Sequence, residues 1–267
     1  MSALVWTRRG RGVLWALFAV LFGVVILAPL AVIVLAAFAA SWNGVLPGSF
    51  TGRHVGDAVS GDHLASLTVS LQTACGAGLL AVVVGTWGAL AARSAPRAVR
   101  RVADALLHLP IAVSSVVVGL GMLVAFNRPP LLLGGTRWIV IAAHAVLVVA
   151  FAYSTVGAAL DRLDPAYEQV AGSLGASPAR VLLRVRLPLL TPAITAAASL
   201  SVALSMGEVG ATIMVYPADW RTLPVGVFTL TDRGRVFPAA ALTLVLLTAA
   251  LAVLLALGRL RGRAAER

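Results

Sequence analysis

The stretch YEQVAGSLGASPARVLLRVRLPLLTP, residues 167–192, is a polar, proline-containing segment between two long apolar runs. Just before it, Asp164 can accept hydrogen bonds from the free amides at a helix start. Pro165 suits the first helical position, because no amide hydrogen is needed there. The spacing of apolar residues predicts a helix over 166–174, and Gly175 is a natural left-handed stop after its last turn.

A second helix is predicted directly after this glycine. Ser177 is a suitable N-cap, and Pro178 is a suitable first residue. Pro188 disfavours helical geometry in the residue before it, so we expect this helix to end near Leu187. The segment 161–187 therefore predicts a helix, a tight turn and a second helix. A short amphipathic helix held out in this way can dock in a groove of another protein or lie on lipid headgroups.

The rest of the chain has the composition of a membrane protein. Of its 267 residues, 60% are hydrophobic and 12% are charged, which leaves too little polar surface for a soluble domain. An apolar run of about 20 residues can span a bilayer as a helix. We therefore predict an all-α membrane protein with six transmembrane helices, and Pro29 predicts a kink in the first. The predicted runs are 13–40, 64–92, 106–126, 137–160, 189–215 and 236–258.

The net charge of +11 comes from arginine, because all 21 basic residues are Arg. On a soluble protein this charge would indicate nucleic acid or an anionic surface as partner. With six spans and a cytoplasmic N-terminus, however, fifteen arginines lie in cytoplasmic segments and six on the other side, as the positive-inside rule requires. We expect both termini in the cytoplasm and no nucleic-acid partner. The fifteen are Arg8, Arg9, Arg11, Arg93, Arg97, Arg100, Arg101, Arg162, Arg180, Arg184, Arg186, Arg259, Arg261, Arg263 and Arg267. The six are Arg53, Arg128, Arg137, Arg221, Arg233 and Arg235.

Residues for catalysis or metal binding are scarce. A Walker phosphate loop requires lysine, and the chain has none, so ATP would have to be hydrolysed by another chain. The lone Cys75 cannot form a disulfide within the chain. The histidines have no metal-ligand spacing, and neither paired carboxylates nor a nucleophile with a base appear. We expect no enzymatic activity, no metal and no cofactor in this chain.

Two titratable residues fall inside predicted spans. Inserting a charged residue there costs about 2.5–3.5 kcal/mol on insertion scales. The presence of Glu208 in the stretch GEVGAT therefore requires a functional or structural explanation. It can line or gate a pore, or it can be paired within the helix bundle. His144 fits a hydrogen-bonded packing residue better than a pore residue. The residues predicted for a substrate pathway are Gly207, Glu208, Gly210 and Thr212.

The opening segment resembles the cytoplasmic signature of ABC importer permeases. That signature is E-A-A, three residues, G, nine residues and I-x-L-P, and this chain has QVA at 169–171, Gly175 and VRLP at 185–188. The resemblance covers about residues 64–257. It implies a type I ABC importer permease fold, in which this loop is a coupling helix seated on a cytoplasmic ATPase. The acid of the triplet is displaced to Glu168, which leaves open which side chain contacts the ATPase. The implied coupling residues are Glu168, Gln169, Ala171, Leu174, Gly175, Val185, Leu187 and Pro188.

Further stretches resemble one branch, the permeases of 2-aminoethylphosphonate importers. They are WNGVLPGSFTGRH at 42–54, FNRPP at 126–130 and DWRTLPVGVFTLTDRGRVFPAAALT at 219–243. GEVGAT also resembles a segment of sulfate and molybdate permeases. We expect the permease subunit of an ABC importer for 2-aminoethylphosphonate or a related phosphonate. The alternatives are a permease for sulfate, molybdate or another small solute and, in another class, a secondary carrier that works without ATP.

The resemblance also implies partners, a location and a domain division. The partners are a cytoplasmic ATPase dimer that binds ATP and magnesium, a second permease subunit, an extracytoplasmic solute-binding protein and the lipid bilayer. The second permease is an identical copy or a homologous sister. The expected location is the bacterial inner membrane. We divide the chain into an N-terminal helix with an external loop (1–63), a transmembrane domain (64–257) and a basic cytoplasmic tail (258–267).

Overall fold

The computed structural model describes residues 8–265, and most of this part of the chain is helical. Five of its helices are long and apolar enough to cross a membrane, and there are six crossings if two helices joined at a sharp bend count as one. The predicted all-α membrane fold is confirmed. The five are Gly10–Ala37, Gly61–Ser94, Arg137–Asp161, Pro178–Met206 and Val236–Arg259.

The secondary structure elements are numbered in chain order. The helices are α1 (Arg8–Phe22), α2 (Ala28–Ala37), α3 (Arg53–Ala58), α4 (Gly61–Ser94), α5 (Arg97–Ala112), α6 (Ser115–Ala125), α7 (Arg137–Asp161), α8 (Ala166–Ser173), α9 (Pro178–Val181), α10 (Leu187–Met206), α11 (Gly210–Val215), α12 (Leu223–Asp232) and α13 (Val236–Ala265). Two π-helical turns, Gly23–Leu27 and Leu182–Arg186, join α1 to α2 and α9 to α10. Strands β1 (Ala39–Ser41) and β2 (Ser49–Phe50) pair antiparallel.

The sequence predicts that the second helix of the opening segment ends near Leu187, and this prediction is wrong. The helix continues through the π turn into α10, so that one helix runs from Pro178 to Met206. The amide of Leu187 donates to the carbonyl of Leu182, five residues back. This wider turn contains one extra residue, and Pro188 follows it without breaking the helix. The same arrangement precedes Pro29 in the first span, where Ala28 donates to Gly23.

The third predicted run, 106–126, is not a straight helix. Helices α5 and α6 meet at a bend of 108°, because Val113 and Ser114 are extended, with ψ values of 142° and 138°. Helix α5 also starts earlier than the apolar run did, at Arg97. A search for apolar residues alone misses this start, since α5 is amphipathic.

The polar face of α5 packs against α7. The Arg100 guanidinium lies 3.4 Å from the Asp161 carboxylate, and the hydroxyl of Tyr153 donates a hydrogen bond to Asp104. These contacts border a cavity of about 210 Å³. The polar residues of α5 therefore pair with polar residues of α7. The apolar residues of α5, such as Leu106, are exposed.

The fifth predicted run, 189–215, is also interrupted. Helix α10 ends at Met206, and α11 begins at Gly210. The residues between them, 207–209, form a break in the middle of the glycine-rich stretch. Glu208 therefore lies between two helices and not within one.

The chain divides into two compact units. The smaller consists of the described residues up to His63 together with Val227–Val245, and the larger of Leu64–Gly226 with the described residues from Leu246. In the smaller unit, the ring of His54 stacks on that of Phe237 at 6.3 Å. Helix α13 extends through the predicted tail to Ala265, and residues 266–267 of that tail lie outside the described part. The domain limits predicted from the sequence remain predictions.

The core of the larger unit is built by α4, α7 and α10, which approach closely at small residues. A methyl group added at Gly85 would lie 2.7 Å from the backbone nitrogen of Tyr153, and one at Gly78 would lie 2.7 Å from the Val202 side chain. Small residues let membrane helices pack backbone to backbone. This close packing holds in place the two polar regions described next.

Candidate functional site

The first candidate region is the loop between α7 and α10, whose helix α8 forms as predicted. The Asp164 carboxylate accepts a hydrogen bond of 2.9 Å from the amide of Ala166. At the other end, Gly175 has a φ of +79°, and its amide donates to the Gly172 carbonyl at 2.9 Å. The amide of Ala176 donates to the Ala171 carbonyl at 3.0 Å. This pair of bonds is the Schellman motif, which reverses the chain at a left-handed residue.

The chain starts its next helix within two residues of this turn. The Ser177 hydroxyl accepts a hydrogen bond of 3.4 Å from the amide of Arg180, and Pro178 occupies the first turn. Both caps predicted from the sequence are thus present. The turn between α8 and α9 is short and has fixed geometry.

One face of the α8 segment is apolar and exposed. Tyr167, Val170 and Leu174 expose 56%, 58% and 83% of their surface. They are three and four residues apart, so they lie on one side of the helix. Ala171 is half-buried, whereas Gln169 is exposed. This face has the character of a groove-binding helix.

Glu168 is turned toward its own chain. Its carboxylate accepts two hydrogen bonds from the Arg186 guanidinium, at 3.0 and 2.5 Å, and lies 4.0 Å from that of Arg93. The hydrogen bonds from Arg186 lower the pKa of this carboxyl below its ordinary value of 4.5. Nothing in the local sequence indicates that these three charges meet.

The remaining predicted coupling residues lie where the chain returns to the bundle. Val185 is half-buried in the π turn, and Pro188 is exposed in the first turn of α10. Leu187 packs against a buried cluster that includes Leu90 and Leu160. The VRLP sequence therefore anchors the loop to the core of the larger unit.

The second candidate region is the break between α10 and α11. One oxygen of Glu208 accepts a hydrogen bond of 2.9 Å from the amide of Ala211, and the hydroxyl of Thr212 donates to the Glu208 carbonyl at 3.2 Å. The side chain thus caps α11. Among the described residues, Glu208 forms no ion pair within 4.0 Å with a basic side chain.

His144 joins this break to α7. The ring is 1% exposed, its Nδ1 lies 2.7 Å from the Ser205 hydroxyl, and its Nε2 lies 2.7 Å from the Thr212 hydroxyl. Because both ring nitrogens are engaged, His144 has the hydrogen-bonded packing role that the sequence favoured. It ties together α7, the end of α10 and α11.

The break also packs against the bend between α5 and α6. A methyl group added at Gly119 of α6 would lie 2.7 Å from the carbonyl oxygen of Ala211. One added at Gly210 would collide with the hydroxyl of Ser115. The two interruptions of helical structure therefore meet, and glycine is needed on both sides of the contact.

A cavity of about 230 Å³ lies where the bend and the break meet. Of the four predicted pathway residues, only Glu208 lines it; Thr212 is buried beside His144, and the two glycines shape the backbone. The sequence missed His144, Ser205 and Ser115 as polar members of the lining, because their positions depend on distant helices. The lining residues are Pro110, Ile111, Val113, Ser115, His144, Leu147, Val148, Phe151, Leu204, Ser205 and Glu208.

Metal ligands do not cluster in either region. Within the part of the chain that the structure describes, no group of three or more His, Cys, Asp or Glu side chains could hold a metal ion.

Comparison with known proteins identifies relatives over the whole chain. The family model of binding-protein-dependent transport system inner membrane components matches residues 81–265. A Salmonella paratyphi A protein provisionally named 2-aminoethylphosphonate transport system permease protein PhnV is 44% identical over 264 residues, 99% of this chain and 100% of that protein. The molybdenum transport system permease protein ModB of Mycobacterium tuberculosis is 34% identical over 209 residues, 72% of this chain and 77% of that protein.

A solved structure has the same fold. It is a chain of the bacterial alginate ABC transporter, in complex with an alginate pentasaccharide-bound periplasmic protein. The TM-score is 0.74 at 19% identity, with 93% of this chain and 94% of that chain covered. The family resemblance and the branch resemblance drawn from the sequence are both confirmed.

Proposed function

The chain belongs to the family of binding-protein-dependent transport system inner membrane components, and we propose that it is the permease subunit of an ATP-driven importer of 2-aminoethylphosphonate. The observation that supports this substrate assignment is the 44% identity to PhnV over practically the full length of both chains. The molybdenum permease ModB covers less of the chain, at 34% identity over 72%. An oxyanion such as molybdate is therefore the second candidate.

In this proposal α8 is the coupling helix. This assignment is supported by the exposed apolar face of Tyr167, Val170 and Leu174 and by the fixed turn at Gly175. An amphipathic helix of this kind fits a groove in a cytoplasmic ATPase subunit. ATP binding and hydrolysis would take place in that partner. Its movement would reach the bundle through Gly175 and the VRLP anchor.

The solute would pass the cavity at Glu208. This carboxylate is half-buried and has no ion-pair partner among the described residues, and an ionisable side chain inside a membrane segment is retained mostly for function. Glu208 would line the path or act as its gate, and its bond to Ala211 would hold it in place. A bend that packs against a break supplies two non-helical segments able to shift relative to each other.

The other subunits and the orientation complete the proposal. We infer an ATPase dimer, a second permease subunit and an extracytoplasmic solute-binding protein, with both termini of this chain in the cytoplasm. The orientation can be tested after removal of Cys75, with single cysteines at Ser49 and Ser177. An impermeant thiol reagent applied to intact cells should label Ser49→Cys only. Labelling of Ser177→Cys would contradict the topology.

Uptake of labelled 2-aminoethylphosphonate tests the substrate. A host that lacks this chain should regain uptake when the chain is restored, and excess sulfate or molybdate should not compete. Uptake that molybdate abolishes would favour the second candidate. Equal uptake with and without the chain would reject the phosphonate assignment.

A further inference from the structure

The acidic residue of the coupling helix faces its own chain. Glu168 accepts two hydrogen bonds from Arg186, at 3.0 and 2.5 Å, in the two-pronged geometry that makes arginine–carboxylate pairs strong. The guanidinium of Arg93 lies 4.0 Å from the same carboxylate. The carboxylate is therefore within ion-pair distance of two guanidinium groups.

These two arginines come from separate parts of the bundle. Arg186 ends the π turn that leads into α10, and Arg93 lies in the last turn of α4. Arg93 also donates a hydrogen bond to the carbonyl of Leu160 at the end of α7, where helix carbonyls lack intrahelical partners. Glu168 thus connects α8 to the ends of three membrane helices.

The contact is shielded from solvent more than an ordinary surface ion pair. The side chains of Arg93, Glu168 and Arg186 are 25%, 27% and 19% exposed. Partial burial reduces screening by water and salt. Without the carboxylate, two positive charges would be left close together, which is unfavourable.

The surface left for the ATPase is apolar. Tyr167, Val170 and Leu174 are exposed on both sides of Glu168 in the sequence, whereas Glu168 itself is largely covered. We propose that Glu168 is a positioning residue, which fixes the coupling helix to the membrane helices through Arg186 and Arg93 and makes no contact with the ATPase. The inference rests on the proposed coupling role of α8.

The test uses the complete transporter in proteoliposomes, with two readouts. The first is the amount of ATPase subunit that co-purifies with the permease, and the second is the number of solute molecules transported per ATP hydrolysed. Glu168→Gln should retain the ATPase subunit but lower transport per ATP about tenfold, because hydrogen bonds to charged groups are among the strongest in proteins. A purely structural role would reduce the amount of protein and leave this ratio unchanged.

Arg186→Gln should reproduce the effect, and the double variant should be no worse than either single variant, because all three lose the same interaction. Arg184→Gln is the matched control, since Arg184 is exposed in the same π turn and has no ion pair among the described residues. It should transport like the parent protein. Loss of the ATPase subunit in Glu168→Gln would mean that Glu168 contacts the ATPase, and an unchanged transport ratio would remove its positioning role.

The failure of the coupling proposal itself would look different. Val170→Arg together with Leu174→Arg places two charges on the exposed apolar face and should release the ATPase subunit. If this variant still retained the ATPase subunit, α8 would not be the docking helix, whatever the result at Glu168.

Discussion

Substitution of Gly175 by valine should uncouple the transporter, and the structure gives the size of the effect. Gly175 has a φ of +79°, and no atom lies within 4 Å of the position where a side chain would begin. The cost is therefore backbone strain alone, about 1–2 kcal/mol for a residue with a side chain in the left-handed region. This corresponds to roughly a 5–30-fold fall in the equilibrium ratio of native to non-native turn. Valine, which is β-branched, should lie at the upper end.

A series of variants separates strain from loss of protein. Asparagine tolerates the left-handed region better than alanine, so uptake should fall in the order glycine, asparagine, alanine, valine. Gly172→Ala is the control, because Gly172 lies inside α8 with nothing within 4 Å and an ordinary helical backbone. It should stabilise the helix by about 0.5–1 kcal/mol. Uptake is measured per membrane-inserted protein; a valine variant as active as the parent would refute the reasoning.

Further predictions concern the packed break and the ion pair. Gly119→Ala places a methyl group 2.7 Å from the Ala211 carbonyl oxygen and should destabilise the purified protein by about 1–3 kcal/mol, which a lowered melting temperature would report. His144→Phe removes one hydrogen-bond partner from each of the buried hydroxyls of Ser205 and Thr212 and should cost about 1–2 kcal/mol by the same assay; an unchanged melting temperature would contradict this. Glu208→Gln retains an oxygen for the Ala211 amide, so it should melt like the parent yet lose most uptake, and Glu208→Ala should lose uptake as well; normal uptake in both would exclude a pathway role. Because the Glu168 pKa is lowered, its stabilising effect is complete above the ordinary pKa and lost as pH falls through the folded value. The difference in melting temperature between the parent and Glu168→Gln should therefore shrink in acid, and a difference independent of pH would count against the ion pair.

Local signals in the sequence were sufficient to predict the backbone of the loop between α7 and α10. Asp164, Gly175 and Ser177 each act on backbone groups within five residues, so their effect could be predicted without knowledge of the fold. The six apolar runs were also visible, because a bilayer requires about 20 apolar residues for each helix. Their interruptions were not. The bend at Val113 depends on how α5 packs, and apolar composition does not report it.

Long-range contacts were out of reach of a single sequence. Arg186 lies 18 residues from Glu168, and the hydroxyl partners of His144 are 61 and 68 residues away. Nothing in the local sequence shows which of many arginines or hydroxyls will be the partner. The expected stop at Leu187 failed for another reason. Proline excludes an ordinary α-helical turn before it, and the chain used a π turn instead.

The π turn at Leu182–Arg186 lies within the nine-residue interval and the VRLP sequence of the signature motif. The nine residues between Gly175 and Val185 include part of a turn that holds one residue more than an α-helix needs. One further residue inserted there, beyond the one that the π turn accommodates, would rotate everything before it by about 100° relative to α10. Arg186 and the coupling helix would then point in different directions. The spacing in the motif therefore sets the rotation of α8 about the axis of α10, and with it the side of the bundle toward which α8 projects.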